Sequence, residues 1–480
     1  MDLLRVASGE IADSAGRRVL LKGTCVGGWM NMENFISGYP GTESGIRDAL
    51  RDALGAGKAE LFLNSMLDNF LASDDLAFIK GTGATVVRLP FNYRHFEDDQ
   101  APFKYLETGF ARLDEAIDLC EKHGLYAILD LHAVQGWQNH GWHSDNDSSH
   151  TYLWTHPHFQ DRFIELWKRI ADRYRNRWVV AGYNVVNEPA SNAWRGEFVG
   201  PDSRRWDWTK INAVYRRVVS AIREVDPDHI IFLEGDHYSQ IFDGLDAPFA
   251  DNLVYSSHNY TSIGFGPGPY PGVRDGQEWD LAAQKAAFDK QEGAIFARRH
   301  RVPLWVGEFG SVYNGPAGEV EDRLRAMDDQ LTTFDDFGAH WTTWTYKDVG
   351  VMGWVTLDPQ SDYMQLIAPH LETKLKLGVD DWMSWMPASA PGRLLQQASD
   401  LVLGVMADDG VDHDVVSHQL KQRALSDYVG TLLQPSYARL FMGLNEDRLE
   451  QIARSFAFSN CQVNDGLVAM LERHMAGPSM

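Results

Sequence analysis

A single alternation limits what this chain can fold into. Short apolar runs recur at 20–24, 85–90, 127–132, 179–188, 230–235, 253–258, 304–310 and 340–344, with helically spaced stretches between them. Phe110, Leu113, Ile117 and Cys120 mark one helical face, and Phe163, Leu166, Trp167 and Ile170 the next. Parallel strands need a long crossover, usually a helix, so strict strand–helix alternation predicts parallel pairing. Eight such units without a second strand cluster predict an α/β fold, a closed (β/α)8 TIM barrel rather than an open doubly wound sheet. Residues 6–20 alternate around Ser14-Ala15-Gly16, which predicts a short hairpin ahead of the first interior strand.

After residue 378 the pattern changes. Pro387, Pro391 and Gly392 interrupt it, and no further strand is expected. Leu394, Ala398, Leu401 and Val405 share helical spacing, as do Leu449, Ile452, Ala453 and Phe456. The expected division is a barrel over 1–378 and a helical appendage over 379–480, either a separate domain or a cap on the barrel's flank.

Composition removes several function classes. With 480 residues and 44% apolar content the chain can bury a barrel-sized core, which argues against disorder. A net charge of −23 opposes nucleic acid and anionic membranes as partners. Cys25, Cys120 and Cys461 are odd in number and far apart, so they form neither a disulfide framework nor a zinc spacing. No apolar run approaches the ~20 residues of a membrane span. Met1-Asp2-Leu3-Leu4-Arg5 lacks the basic patch and apolar core of a signal peptide. The expected location is therefore cytoplasmic, or secreted if a leader has been removed.

Chemistry gathers where the strands end. The run through Val185 and Val186 stops on Asn187-Glu188-Pro189, and the run 304–310 delivers Glu308 before Phe309-Gly310. In a barrel of this kind the C-terminal strand ends form the catalytic face. Two carboxylates there match the needs of glycosidic hydrolysis: one protonates the departing oxygen, and the other meets the cationic anomeric carbon. Glu234 also ends a strand and is expected to be structural or to support the pair. The loop after 127–132 carries His140, His143 and His150, with His156 and His158 just beyond, and Trp137 and Trp142. It lacks a tight histidine–carboxylate spacing, so it reads as a wall of a sugar site rather than a metal site. The glycines of 264–272 lack a following lysine and helix, which opposes a phosphate loop.

Arg88, His132 within Asp130-Leu131-His132-Ala133, Gln138-Asn139, Asn187-Glu188-Pro189, His258-x-Tyr260, Glu308, Trp344 and Gly27-Gly28-Trp29 resemble glycoside hydrolase family 5, in particular its exo-glucanase-like and β-glucosidase-like members. The resemblance covers about 18–350 and leaves the appendage outside. It implies a retaining barrel enzyme with no cofactor, with Glu188 as general acid/base and Glu308 as nucleophile. Arg88 and Tyr260 would then keep Glu308 ionised and oriented, because a cation and a hydrogen-bond donor favour the charged form. Asn187 would bind the sugar 2-hydroxyl, His132 and His258 would hold hydroxyls or the carboxylates' partners, and Trp344 would floor the sugar subsite. Trp137 and Trp142 would contact the sugar from the loop.

Two departures stand out: Thr24-Cys25 replaces the usual apolar-Asn pair, and Tyr346-Lys347-Asp348 after Trp344 is unfamiliar. Long loops after the first, third and sixth strands predict a pocket and exo-action on short glycosides. β-Glucosides, β-mannosides, galactofuranosides and arabinofuranosides all stay open as substrates. A carbohydrate-binding barrel without catalysis and a metallohydrolase built on the histidine loop are the rival classes.

Overall fold

Eight parallel strands close into a barrel in sequence order. They are β1 (Lys22–Cys25), β2 (Val86–Asn92), β3 (Tyr126–Ala133), β4 (Val180–Asn184), β5 (Ile230–Glu234), β6 (Leu253–His258), β7 (Leu304–Glu308) and β8 (His340–Thr343). Closure is made by β8 against β1, with Trp341 opposite Lys22 and Thr343 opposite Thr24. This computed structural model describes residues 2–192, 206–265, 268–274, 276–379, 390–406, 420 and 422–476. Pro387 lies outside them.

The barrel interior is layered. Leu21, Val86, Ile128, Ala181, Ile230, Phe232, Val254 and Trp305 fill its lower half, and Leu4 and Ile11 of the N-terminal segment pack beneath them. That segment pairs Arg5–Ala7 with Glu10–Ala12. The expected turn around Ser14-Ala15-Gly16 follows it, carrying the chain back so that Ala12 bridges Arg18. Trp305 tops the apolar layer. The Arg88 guanidinium lies 5.4 Å from its ring centroid, and polar chemistry begins at that level.

The helices follow the spacing, with two interruptions. Between β1 and β2 the spacing predicts one helix over 43–72, but the chain forms two, Glu43–Leu54 and Ala56–Phe70, divided at Gly55, whose φ of 78° an L side chain rarely adopts. Between β6 and β7 the spacing predicts one helix over 281–299, but the chain forms Leu281–Asp289 and Glu292–His300. Among the described residues no helix is long and apolar enough to cross a membrane.

The described part of the C-terminal segment packs on the barrel flank through its last helices. Helix Glu446–Ala453 packs on helix Ala56–Phe70, and helix Asp465–Met475 on helix Ala317–Phe337. One element contradicts the sequence expectation of helices alone. Cys461–Val463 is a strand, antiparallel to Val355–Leu357, which runs parallel to Lys347–Asp348. Three residues are too few for an alternation to show, so the pairing partner decides this strand, not its own sequence.

That small sheet also explains Tyr346-Lys347-Asp348. Lys347 Nζ is fully buried and donates to Asp75 Oδ1 (2.6 Å), Phe70 O (2.8 Å) and Phe456 O (2.6 Å). Asp348 accepts the backbone N–H groups of Gly350, Val351, Met352 and Gly353. The unfamiliar tripeptide seats the C-terminal segment on the barrel.

Candidate active site

Arg88 is the hub of the polar layer. It projects inward from β2 and is fully buried. Its Nη1 lies 2.5 Å from Glu308 Oε1, at the end of β7. Its Nη2 donates to Asn187 Oδ1 (2.7 Å) and Asn184 Oδ1 (2.8 Å), and its Nε to Asn184 Oδ1 (3.0 Å). Asp130 Oδ2 and Glu234 Oε1 stand 3.2 and 3.3 Å from Nη2. Burial disfavours its charge, but the surrounding carboxylates outweigh that and hold the guanidinium cationic. One rigid fork thereby fixes residues from several strand ends.

Glu308 receives a second donor, the Tyr260 hydroxyl, 2.9 Å from Oε2. Glu188 lies four residues beyond the hydrogen-bonded end of β4, not on the strand as the apolar run implied. Its φ is 47°, a strained value for a residue with a side chain. The segment is held by Asn187 N–H to Leu131 O (3.3 Å) and by Glu188 N–H to Glu234 Oε2 (2.8 Å). Glu234 thus supports the backbone of Glu188. Burial pushes the Glu234 carboxyl up, but His258 and Arg88 overcome this and hold it at about 2.

His258 Nδ1 stands between the two glutamates, 2.7 Å from Glu188 Oε1 and 3.6 Å from Glu308 Oε2. Burial lowers its basicity, yet Glu308 and Glu234 outweigh burial and raise it well above the ordinary value. One ligand-type atom from each of Glu188, His258 and Glu308 lies within 4.8 Å of the others. All three residues are buried, Glu188 the least, at 8% exposed.

His132 is linked through neighbours rather than to the glutamates. Its Nδ1 is 2.7 Å from Asp130 Oδ2, its Nε2 faces Asn187 Nδ2 at 3.1 Å, and its ring stacks on Trp344 at 5.1 Å. Trp344 is buried and forms the wall behind that imidazole. The loop tryptophans are packed as follows. Trp137 donates its indole N–H to Asp145 O and packs beside Tyr152. Trp142 is edge-on to Phe35 and backs the ring of His143. Trp137 packs within its own loop, and Trp142 joins that loop to the segment after β1.

Four residues at the site were not singled out by the sequence for the places they take. His143 Nε2 is 3.0 Å from Glu188 Oε2, although its loop promised only a wall. Burial pushes the Glu188 carboxyl up, and two donating imidazoles, His143 and His258, pull it below the ordinary carboxylate range. Asn184 supports Arg88; its signal was a polar side chain closing an apolar strand. Glu33, buried after β1, stands 3.3 Å from His132 Nε2. Cys25, one of the departures, is buried 3.8 Å from Arg88 Nη1, and burial pushes its thiol up to about 12. The remaining loop histidines do not converge: His140 meets Tyr238, His150 meets Ser148, and His156 meets Thr155.

The chain is similar to several known proteins. The family described as Cellulase (glycosyl hydrolase family 5) matches residues 59–350. A β-xylosidase of Phanerodontia chrysosporium is 38% identical, over 98% of this chain and 98% of that protein. Endoglucanase C of Acetivibrio thermocellus is 24% identical, over 60% of this chain and 87% of its own. Among solved structures, an endogalactoceramidase superposes with a TM-score of 0.52 at 19% identity, over 72% of this chain and 75% of that one, a likeness of fold.

Proposed function

The chain belongs to glycoside hydrolase family 5 and is a glycoside hydrolase, and on that premise we propose a retaining, exo-acting enzyme that releases one β-xylosyl or β-glucosyl unit from short oligosaccharides or glycosides. The observation that carries the reading is the spacing of Glu188 and Glu308. Ligand-type atoms of the pair lie within 4.8 Å. Retaining enzymes hold their carboxyls about 5–5.5 Å apart, whereas inverting ones keep about 6.5–9.5 Å to admit a water.

Glu308 is the nucleophile, because Arg88 and Tyr260 give its oxygens donors that favour and aim the charged form. Glu188 is the acid/base. In the first step Glu308 Oε bonds the anomeric carbon as the carbon–oxygen bond breaks, and the Glu188 proton passes to the departing oxygen. In the second step water attacks that carbon, its proton returns to Glu188, and the ester to Glu308 opens. Asn187, fixed by Arg88, binds the sugar 2-hydroxyl, and Trp344 with His132 bounds the same subsite.

Exo-action is favoured by walls at the mouth. Asn31 Nδ2 donates to His143 O (3.2 Å), and Ser44 N–H to Asp145 Oδ1 (2.7 Å), which ties the loops after β1 and β3 together. The β-xylosidase relative spans the whole chain, which favours a xylosyl unit. A furanosidase on the same scaffold is the alternative.

A panel of 4-nitrophenyl β-xyloside, β-glucoside, β-galactofuranoside and α-L-arabinofuranoside tests this, with proton NMR of the first product and trapping by a 2-deoxy-2-fluoro glycoside. Expected are turnover of a β-pyranoside, a first product of unchanged anomeric configuration, and label on Glu308. An inverted product, or label on another residue, overturns the mechanism. Furanosides as the best substrates overturn the sugar assignment.

A further inference from the structure

The family match ends at residue 350, yet the chain returns to the site far beyond it. The helical segment Gln422–Val429 runs into helix Gly430–Ala438, which packs on helix Glu43–Leu54. Gln434 fits there because Gly41 and Gly45 leave it room. A Cβ at Gly41 would lie 2.5 Å from Gln434 Nε2, and one at Gly45 would collide with its Oε1. This seat places Arg423 against the loop that follows β3. Arg423 Nη1 donates to Ser149 Oγ (2.5 Å) and to Asp427 Oδ2 (2.8 Å), one turn along its own segment. The Arg423 side chain is only 24% exposed, so the contact is not a solvated surface pair.

From Ser149 a continuous hydrogen-bonded path leads to the acid/base. Asn146 Oδ1 accepts the Ser149 N–H (2.9 Å), and Asn146 Nδ2 donates to Asn139 O (2.7 Å). Asn139 Nδ2 donates to Glu188 O (2.9 Å) and lies 3.0 Å from His143 Nε2. The Glu188 peptide depends on such ties, because its φ of 47° is strained and its N–H is held separately by Glu234. A second approach runs through Tyr238, whose ring stands 6.2 Å from that of His143. Burial first and the Glu188 charge next push its phenol well above the ordinary value, and the charges of Arg423 and Asp427 reach the same group. The nucleophile lies off this path, since Arg88 and Tyr260 fix Glu308.

We propose that Arg423 is a positioning residue for proton donation: from beyond the family match it clamps the loop after β3 and, through Ser149, Asn146 and Asn139, sets the Glu188 carboxyl against the departing oxygen. The inference rests on the assignment of Glu188 as acid/base. A reacting group displaced by about 1 Å loses on the order of 10²-fold in rate. Here the loss falls on the step that needs the Glu188 proton. Attack by Glu308 on a glycoside whose leaving group departs unaided is spared that part.

The test uses the full chain with Arg423→Ala, Ser149→Ala and the double variant. Each is assayed on an alkyl glycoside and a 2,4-dinitrophenyl glycoside of the same sugar. The alkyl leaving group needs the proton and the dinitrophenolate does not, a difference worth about 10²–10⁴-fold. Each single variant is expected to lose about tenfold or more in kcat/KM on the alkyl glycoside relative to the dinitrophenyl glycoside. The double variant is expected to lose no more than the worse single one, because both changes break one link. Arg423→Lys keeps a cationic donor and is expected to recover part of the loss. Equal losses on the two substrates, additive losses in the double variant, or full alkyl activity in the single variants overturn the proposal. Circular dichroism and melting curves confirm that each variant is folded; if Arg423→Ala does not fold, the substrate ratio of Ser149→Ala decides. Glu188→Ala in the presence of azide is read separately. If it keeps its rate on the alkyl glycoside, the assignment of Glu188 fails whatever Arg423 does.

Discussion

Arg88 shows most clearly how one side chain organises the site. Its fork joins Glu308, Asn187 and Asn184, residues far apart in sequence, inside a fully buried ring of carboxylates. Removing one member of such a buried ionic cluster leaves charges without compensation, which costs about 3–5 kcal/mol. Arg88→Met is thus expected to lose about that much stability in urea unfolding, together with nearly all activity; a stable, inactive variant would contradict the structural half of this role. Glu188→Gln keeps the shape of the acid but not its exchangeable proton. It is expected to lose about 10²–10⁴-fold in kcat on alkyl glycosides, measured at the wild-type pH optimum. These residue types and their order along the chain were legible in the sequence. The resemblance also implied Arg88 and Tyr260 as partners of Glu308; the partner of Glu188 in the loop after β3 was not legible. His143 lies in a loop without periodicity, and only the left-handed turn at Glu188 brings that carboxyl to it.

At the level of elements, the strands and crossover helices were legible because each carries its own apolar period. Their seams were not. β8 begins at His340, which is buried and whose Nδ1 accepts the Leu21 N–H of the segment leading into β1 (3.1 Å). Burial pushes its ionisation down to about 3, so the folded imidazole stays neutral. An unfolded imidazole takes up its proton near pH 6.5. Between those values the unfolded chain binds the extra proton, so stability falls as pH drops from about 6.5 toward 3. His340→Asn keeps an acceptor but cannot charge. It is expected to lose about 2 kcal/mol less than wild type between pH 7 and 4.5, measured by denaturant unfolding at both pH values; parallel losses would refute this. The seam of the C-terminal segment depends on Lys347. Lys347→Met strands Asp75 and is expected to cost about 3–5 kcal/mol, with Lys347→Met/Asp75→Leu recovering a good part of it in thermal melts.

At the scale of the molecule the C-terminal segment is part of the barrel's support. Phe441 and Phe456 pack on Phe62 and Phe70. Gln434 Nε2 donates to Pro40 O (3.1 Å) and Thr42 O (3.2 Å). These bonds hold the loop that follows Glu33 into the site. A chain ending at residue 378 is expected to expose that apolar flank and to lose both cooperative melting and activity. Recovery of a truncated protein with wild-type Tm and kcat would show that the segment is dispensable. The sequence by itself determined the barrel, the order of its strands and the two glutamates, because an apolar period and a polar strand end are local properties. Only the tertiary structure decided which further side chains meet: Asn184 and Asn187 on the Arg88 fork, the two imidazoles on Glu188, and the strand Cys461–Val463. Each of these depends on atoms supplied by distant parts of the chain, and their approach is set by closure of the barrel and by burial rather than by any pattern along it.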